Sequence, residues 1–162
     1  MTPIIRALDP TYASLGIAVH FLARREPFAS FRLGDVIHTV DVQIRRRHAL
    51  FAFEGERVAG FLGWALYSHE DARRFAETGR PPPPDTPDGA DVAWLLMAAA
   101  TSTEALKGLL REGRALNVGR RVMGVRHKPG GKRVIFDQPI SAKPISAKPI
   151  SAKPISAKPP RA

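Results

Sequence analysis

His48 to Tyr67 reads HALFAFEGERVAGFLGWALY, and this stretch decides the fold class. Leu50 to Phe53 form one apolar, aromatic run, and Val58 to Tyr67 form a second. Between them lies Glu54-Gly55-Glu56. Two such runs around a short glycine-containing turn predict a β-hairpin. Ser68 then sits in position to cap a helix, with Asp71 three residues on to close a capping box. Gly79 ends that helix. The next segment, RPPPPDTPDG (80–89), reads as an exposed polyproline-like loop.

Beyond it, DVAWLLMAAA (91–100) is a continuous apolar run, the pattern of a buried central strand. Thr101-Ser102-Thr103-Glu104 opens a helix that continues through Leu106, Leu109 and Leu110 to about Arg114. GRRVMGVRH and KRVIFD read as two strands joined by Lys128-Pro129-Gly130-Gly131, a second hairpin. On the N-terminal side, Asp9-Pro10 has the form of a helix start. Leu8, Tyr12, Leu15, Val19 and Leu22 follow at helical spacing, to about Arg25, with Pro27 as the stop. Val36, Ile37, Val40 and Ile44 mark a second helix. The order is therefore helix, helix, hairpin, helix, strand, helix, hairpin. A mixed sheet covered by helices follows, class α+β or α/β. Trp64 and Trp94 fall in apolar strands and belong to the core.

The chain has 162 residues, and 44% of them are hydrophobic, which is globular rather than disordered composition. No apolar run approaches the roughly 20 residues needed to span a membrane. The start, MTPIIRALDP, has neither the basic opening nor the apolar stretch of a secretory signal. There is no cysteine, which excludes disulfides and thiolate zinc sites. His20, His38, His48, His69 and His127 are dispersed, without metal-ligand spacing. The expectation is a cytoplasmic protein that uses no metal or other cofactor.

The net charge is +10, but it is not evenly spread. Residues 139–162 carry five of the 25 basic side chains and none of the 15 acidic ones. The domain of residues 1–138 is thus only mildly basic. The segment 139–162 repeats Pro-Ile-Ser-Ala-Lys four times, from Pro139 to Lys158. Proline at every fifth position excludes helix and central strand, so the tail is expected to be extended. A period of five does not match the three-residue turn of polyproline II, so its isoleucines do not line up in one stripe. That pattern suits a tether with several weak anchor points. Arg45-Arg46-Arg47 on the domain and Lys143, Lys148, Lys153 and Lys158 on the tail are the candidate partner-binding cations. Acidic proteins, nucleic acid and anionic membrane surfaces all suit such charge. No nucleic-acid motif accompanies it, and no aromatic stacking pattern lies on a basic strand.

The segment LFAFEGERVAGFLGWALYSHEDARRFAETG resembles the signature region of the RTX toxin-activating lysine acyltransferases, the hemolysin-activating type. Val58-Ala59-Gly60-Phe61, Gly63-Trp64-Ala65 and Ser68-His69-Glu70 fit the frame of that signature. VAWLLMAAAT resembles the family's later tryptophan-bearing strand, and RRVMGVRHKPGGKRVIFD its closing hairpin. The likeness runs in one order over residues 10–137. It implies a fold similar to the GCN5-related N-acetyltransferases (GNAT). It also implies transfer of a fatty acyl group from acyl carrier protein to a protein lysine. A histidine near the end of the first helix and an aspartate on the tryptophan strand carry that chemistry. Together they take the proton that a lysine amine must lose before it attacks a thioester.

Carried over residue by residue, both positions have changed. The family's Leu-His-Arg-x-x-Pro is here Leu22-Ala23-Arg24-Arg25-Glu26-Pro27, so the histidine position holds Ala23. The aspartate three residues after the tryptophan is here Met97. A methyl group accepts no proton, and a thioether accepts none at neutral pH. The resemblance thus points to a catalytically degenerate member. His20, three residues before Ala23, is the fallback base, with Asp91 or Glu104 as a carboxylate partner. The stretch AAATSTEAL after the central strand has no glycine, unlike the loops that hold the pyrophosphate of coenzyme A.

The sequence supports three functional expectations. The first is a non-catalytic, acyltransferase-like accessory subunit of a larger assembly, at the cytoplasmic face of a membrane complex or elsewhere in the cytoplasm, anchored in part by its tail. The second is an active protein-lysine acyltransferase served by acidic acyl carrier protein, with His20 as a displaced base. The third is a basic adaptor on nucleic acid or a membrane surface.

Overall fold

A computed structural model describes residues 2–83, 90–127 and 132–141, with His127 defined by its backbone. Six strands form one sheet in sequence order: β1 (Ile4–Arg6), β2 (Ala49–Glu54), β3 (Arg57–Tyr67), β4 (Val92–Ala100), β5 (Arg121–His127) and β6 (Arg133–Pro139). Every neighbouring pair is antiparallel except β4 and β5, which run parallel. The expected α+β class with a mixed sheet is the observed one.

The hairpin expected around Glu54-Gly55-Glu56 closes as β2–β3, with Glu54 paired to Arg57 across Gly55-Glu56. Gly55 takes φ 62, a left-handed conformation that side chains disfavour, so glycine belongs there. Ala59 is an extra residue in this ladder, because Phe53 pairs with Val58 and Ala52 with Gly60. The carbonyl of Ala59 accepts the backbone N–H of Thr101 at 2.7 Å and its hydroxyl at 3.2 Å.

Helices α1 (Tyr12–Leu22) and α2 (Leu33–Arg45) cover one face. Ala18, Phe21, Leu22, Val36, Val40 and Ile44 pack there against Phe51, Phe61 and Met97. Helix α3 (His69–Thr78) continues that layer, with Phe75 stacked on Trp94 at 4.7 Å between ring centroids. Helix α4 (Thr103–Leu116), the crossover between β4 and β5, covers the other face, where Leu109 and Ala105 meet Leu50, Leu62 and Trp64. A Cβ on Gly60 would stand 2.7 Å from Leu109 Cδ1 and 3.1 Å from the Ala99 carbonyl, so this close approach of α4 to β3 needs a glycine. Trp64 and Trp94 are both core residues, as expected. Burying each large side chain of this core contributes about 1.5–3 kcal/mol.

The caps of α3 and α4 follow their local sequence. The Ser68 hydroxyl accepts the N–H of Asp71, and Ser102 accepts that of Ala105. Gly79 ends α3 at φ 68. The start of α1 departs from expectation. Thr11, not Asp9, is the cap, accepting the N–H of Ser14, because Asp9 gives its carbonyl to the turn before the helix. The Asp9 carboxylate instead pairs with Arg47 at 3.1 Å. Helix α1 also stops at Leu22, before Pro27, in a turn closed by Arg25 N–H on the Leu22 carbonyl. Strand β1 has no counterpart in the sequence pattern.

Packing continues through Pro139, the last residue of β6, and Ile140, which is buried with its N–H on the Arg120 carbonyl. The loop at 128–131, the segment 84–89 within the proline-rich loop, and the repeat tail from residue 142, with Lys143, Lys148, Lys153 and Lys158, lie outside the described residues. Among the described residues no helix is long and apolar enough to cross a membrane, and no group of three or more histidines and carboxylates could hold a metal ion.

Candidate functional site

The sheet opens at its centre. Strand β4 pairs with β5 only from Val92↔Arg121 to Leu95↔Gly124, although both strands run on. On its other edge β4 stays paired with β3 up to Gly60↔Ala100. Beyond Leu95, therefore, one edge of β4 faces a gap between diverging parallel strands. Leu96 is an extra residue at the same point, since Gly63 pairs with Met97 and Trp64 with Leu95. This bulge turns both Leu96 and Met97 toward the α1–α2 face.

Met97 thus lies at the splay, but as a core residue. It is 5% exposed and packs with Ala18, Phe21 and Leu22. Ala23, the other position implied by the resemblance, caps the C-terminus of α1 and is exposed. Opposite Met97, the side chain of Gln43 lies over Gly63; it is 2% exposed, and neither of its amide atoms has a hydrogen-bond partner.

The fallback residues are not brought together. His20 is exposed on α1 and lines a cleft beside Thr101, just past the end of β4. Asp91 precedes β4 at its opposite end, roughly 30 Å away at ~3.3 Å per strand residue. Glu104, exposed in the first turn of α4, does not line the cleft that holds His20. Among the described residues no carboxylate lines it.

The N-terminus of α4 is already engaged. Ser102 caps it and donates its hydroxyl to Glu54 Oε1 at 3.2 Å. A carboxylate beside a helix N-terminus is favourable in itself and opposes a second anion there. The glycine-free turn thus acquires an internal counter-charge that the sequence did not reveal.

On the α4 face of the splay lies a cavity of about 530 Å³. Trp64, Leu95, Ala98, Leu110, Val125 and Phe136 make its walls apolar. Near Trp64, the His48 ring stacks on the indole at 5.8 Å. Burial, with Arg46 and Arg120 nearby, lowers the pKa of His48. Burial also pushes the Tyr67 hydroxyl up to about 12.

The arginine triplet forms the end of α2. Arg45 pairs with Asp41 at 2.8 Å, and Arg47 with Asp9. Arg47 takes φ 59, the left-handed geometry that terminates a helix. Arg45 and Arg47 therefore already have carboxylate partners.

No protein-family model matches the chain, and no curated protein matches it in sequence. Its likeness to solved structures is clear. The GphF GNAT-like decarboxylase, solved with isobutyryl-CoA, superposes with a TM-score of 0.56 at 17% identity. The match covers 75% of this chain and 65% of GphF. The fold is GNAT-like. The loading GNATL domain of CurA from Lyngbya majuscula agrees, with a TM-score of 0.50 at 11% identity over 79% of this chain and 68% of that one. The chain thus spans about two thirds of the length of each of these relatives in structure. A GNAT-like fold is what the sequence resemblance implied. At these identities the likeness establishes architecture, and function has to be argued from the site.

Proposed function

We propose that this protein is a non-catalytic member of the GNAT-like fold, derived from protein-lysine acyltransferases of the toxin-activating type, that serves as an accessory subunit of a larger protein assembly. The observation that carries this reading is Met97. The resemblance puts a carboxylate at this position to support a base on α1, and here the position holds a thioether packed in the core among Ala18, Phe21 and Leu22. No proton can be relayed through it. The engaged α4 N-terminus supports the same reading, because a pyrophosphate there would meet Glu54.

The tail is the proposed tether, with Lys143, Lys148, Lys153 and Lys158 meeting an acidic partner surface. Deletion of residues 142–162 should leave the thermal midpoint of the domain unchanged while depleting co-purifying chains from native extracts. Co-purification that survives the deletion would return the tail to the role of spacer, and a wild-type chain that elutes alone would remove the subunit reading.

One feature supports a second reading, an active acyltransferase served by acyl carrier protein. The splay of β4 and β5 is intact and adjoins an apolar cavity able to take an acyl chain. Incubation with acyl-loaded carrier protein and a lysine-bearing target distinguishes the two. Under the first reading no acyl group is transferred. Under the second, transfer occurs and His20→Ala abolishes it.

A further inference from the structure

His20 lies in the last turn of helix α1, Arg24 and Arg25 lie in the turn that follows it, and all three border one cleft. Gly16, one turn before His20, has no neighbour within 4 Å of where a Cβ would stand, so that end of the cleft is open. The cleft, of about 530 Å³, is closed on its far side by Arg57 and by Thr101. Three guanidinium groups and an imidazole line one concavity, and no acidic side chain is among its lining residues.

Elsewhere on the surface Arg45, Arg47, Arg73, Arg74, Arg111 and Arg121 each sit against a carboxylate. Arg24, Arg25 and Arg57 make no ion pair with any carboxylate of the described residues. Arg25 is the most informative of them. Its guanidinium carbon lies 4.2 Å from the centroid of the Phe21 ring, which fixes the group in place. Its Nε is buried without a hydrogen-bond partner. Thr101 offers no competing donor, because both its N–H and its hydroxyl are held by the Ala59 carbonyl. At the start of α4 the Ala105 and Leu106 amides are held by Ser102, whose hydroxyl is donated to Glu54. An anion entering here meets guanidinium groups and not a helix terminus.

We propose that this cleft binds a small phosphate-bearing ligand, held by Arg24, Arg25 and Arg57. The guanidinium fork matches the oxygens of a phosphate, and the concave shape suits a small molecule rather than a flat protein surface. The proposed contacts use neither Ala23 nor Met97, and none of the three arginines is a base in either reading of the proposed function.

Titration of the full chain with inorganic pyrophosphate, followed by calorimetry at 50 and 200 mM salt, tests it. One site per chain is expected, weakening as salt rises. Arg25→Gln and Arg57→Gln should each weaken binding at least about tenfold, as expected for loss of a charge-assisted contact. Arg73→Gln, on α3, should leave it unchanged. In the unsubstituted chain, backbone amide signals of residues 16–25, 57–58 and 101 should shift on titration, a readout that does not depend on any variant folding. Parallel titrations with ATP and glucose 6-phosphate separate a nucleotide from a sugar phosphate as the source, the tighter of the two naming it. Absence of binding at millimolar pyrophosphate would overturn the proposal. So would equal weakening by Arg73→Gln, or shifts spread over all surface arginines.

Discussion

Introducing a carboxylate at the splay, by Met97→Asp, measures how firmly this position is sealed against acid–base chemistry. Met97 is 5% exposed and surrounded by Ala18, Phe21, Leu22 and Phe61. Removing a buried side chain of this size costs about 2–5 kcal/mol. A neutral carboxyl group placed there without a hydrogen-bond partner adds about 1–3 kcal/mol. The loss at low pH is therefore about 3–8 kcal/mol, against a total of about 5–15 kcal/mol for a typical domain. Ionisation makes it worse. Burial raises the pKa of the introduced carboxyl in the folded chain, while the unfolded chain keeps a value near 3.9, so stability falls as pH rises above that value. The slope approaches about 1.4 kcal/mol per pH unit until the folded pKa is reached. Urea unfolding at pH 4.5, 5.5 and 7 reads this directly, as a midpoint that declines with pH relative to the unsubstituted chain. Met97→Leu, which keeps the volume, should stay within about 1.5 kcal/mol. If Met97→Asp costs less than about 1 kcal/mol at pH 7, with no pH dependence relative to the unsubstituted chain, then the position is wet. A wet position could still carry a proton relay.

Three further outcomes follow from the packing. Gly63→Ala places a Cβ against the side chain of Gln43, 2.9 Å from Nε2, and should cost about 1–3 kcal/mol in chemical denaturation. Combining it with Gln43→Ala should recover part of that loss, and strictly additive effects would argue against the contact. Gly16→Ala, in the interior of an exposed helix face with open space around it, should raise stability by about 1 kcal/mol; a lowered melting midpoint would contradict the geometry. His48 has a depressed folded pKa, so the unfolded chain takes up its proton first and stability falls as pH drops below about 6.5. His48→Gln should flatten the melting midpoint between pH 7.5 and 5.5, and an unchanged slope would show that another group carries the acid sensitivity.

Much of the scaffold was legible because its signals are local. Ser68, Ser102 and Gly79 mark helix ends through contacts within three or four residues, and the structure uses each as read, while the Asp71 carboxylate takes the Ser68 hydroxyl where a capping box would take its backbone N–H. The start of α1 was misread because two residues could cap it, and Asp9 was drawn instead into a turn and an ion pair with Arg47, 38 residues away. The candidate site was legible only in part. Resemblance located Ala23 and Met97, but nothing along the chain showed that Met97 is sealed into the core. Gln43 gave no signal, being one polar residue on an otherwise apolar helix face. The basic cleft draws on residues near positions 20, 57 and 101, and no sequence window contains all three.

By itself, then, the sequence determined the order of the main elements, the hairpin at Gly55, the caps of α3 and α4, and that Ala23 and Met97 stand where the resemblance expects proton-handling side chains. These depend on backbone conformation and side-chain chemistry at single positions. Tertiary structure alone decided that β1 exists, since its three residues pair only because β2 offers an edge. It also decided that β4 and β5 run parallel and then part, that Leu96 bulges, and that Glu54 reaches the start of α4. Those features depend on hydrogen bonds and charges between segments tens of residues apart, and they exist only once the sheet has closed around its core.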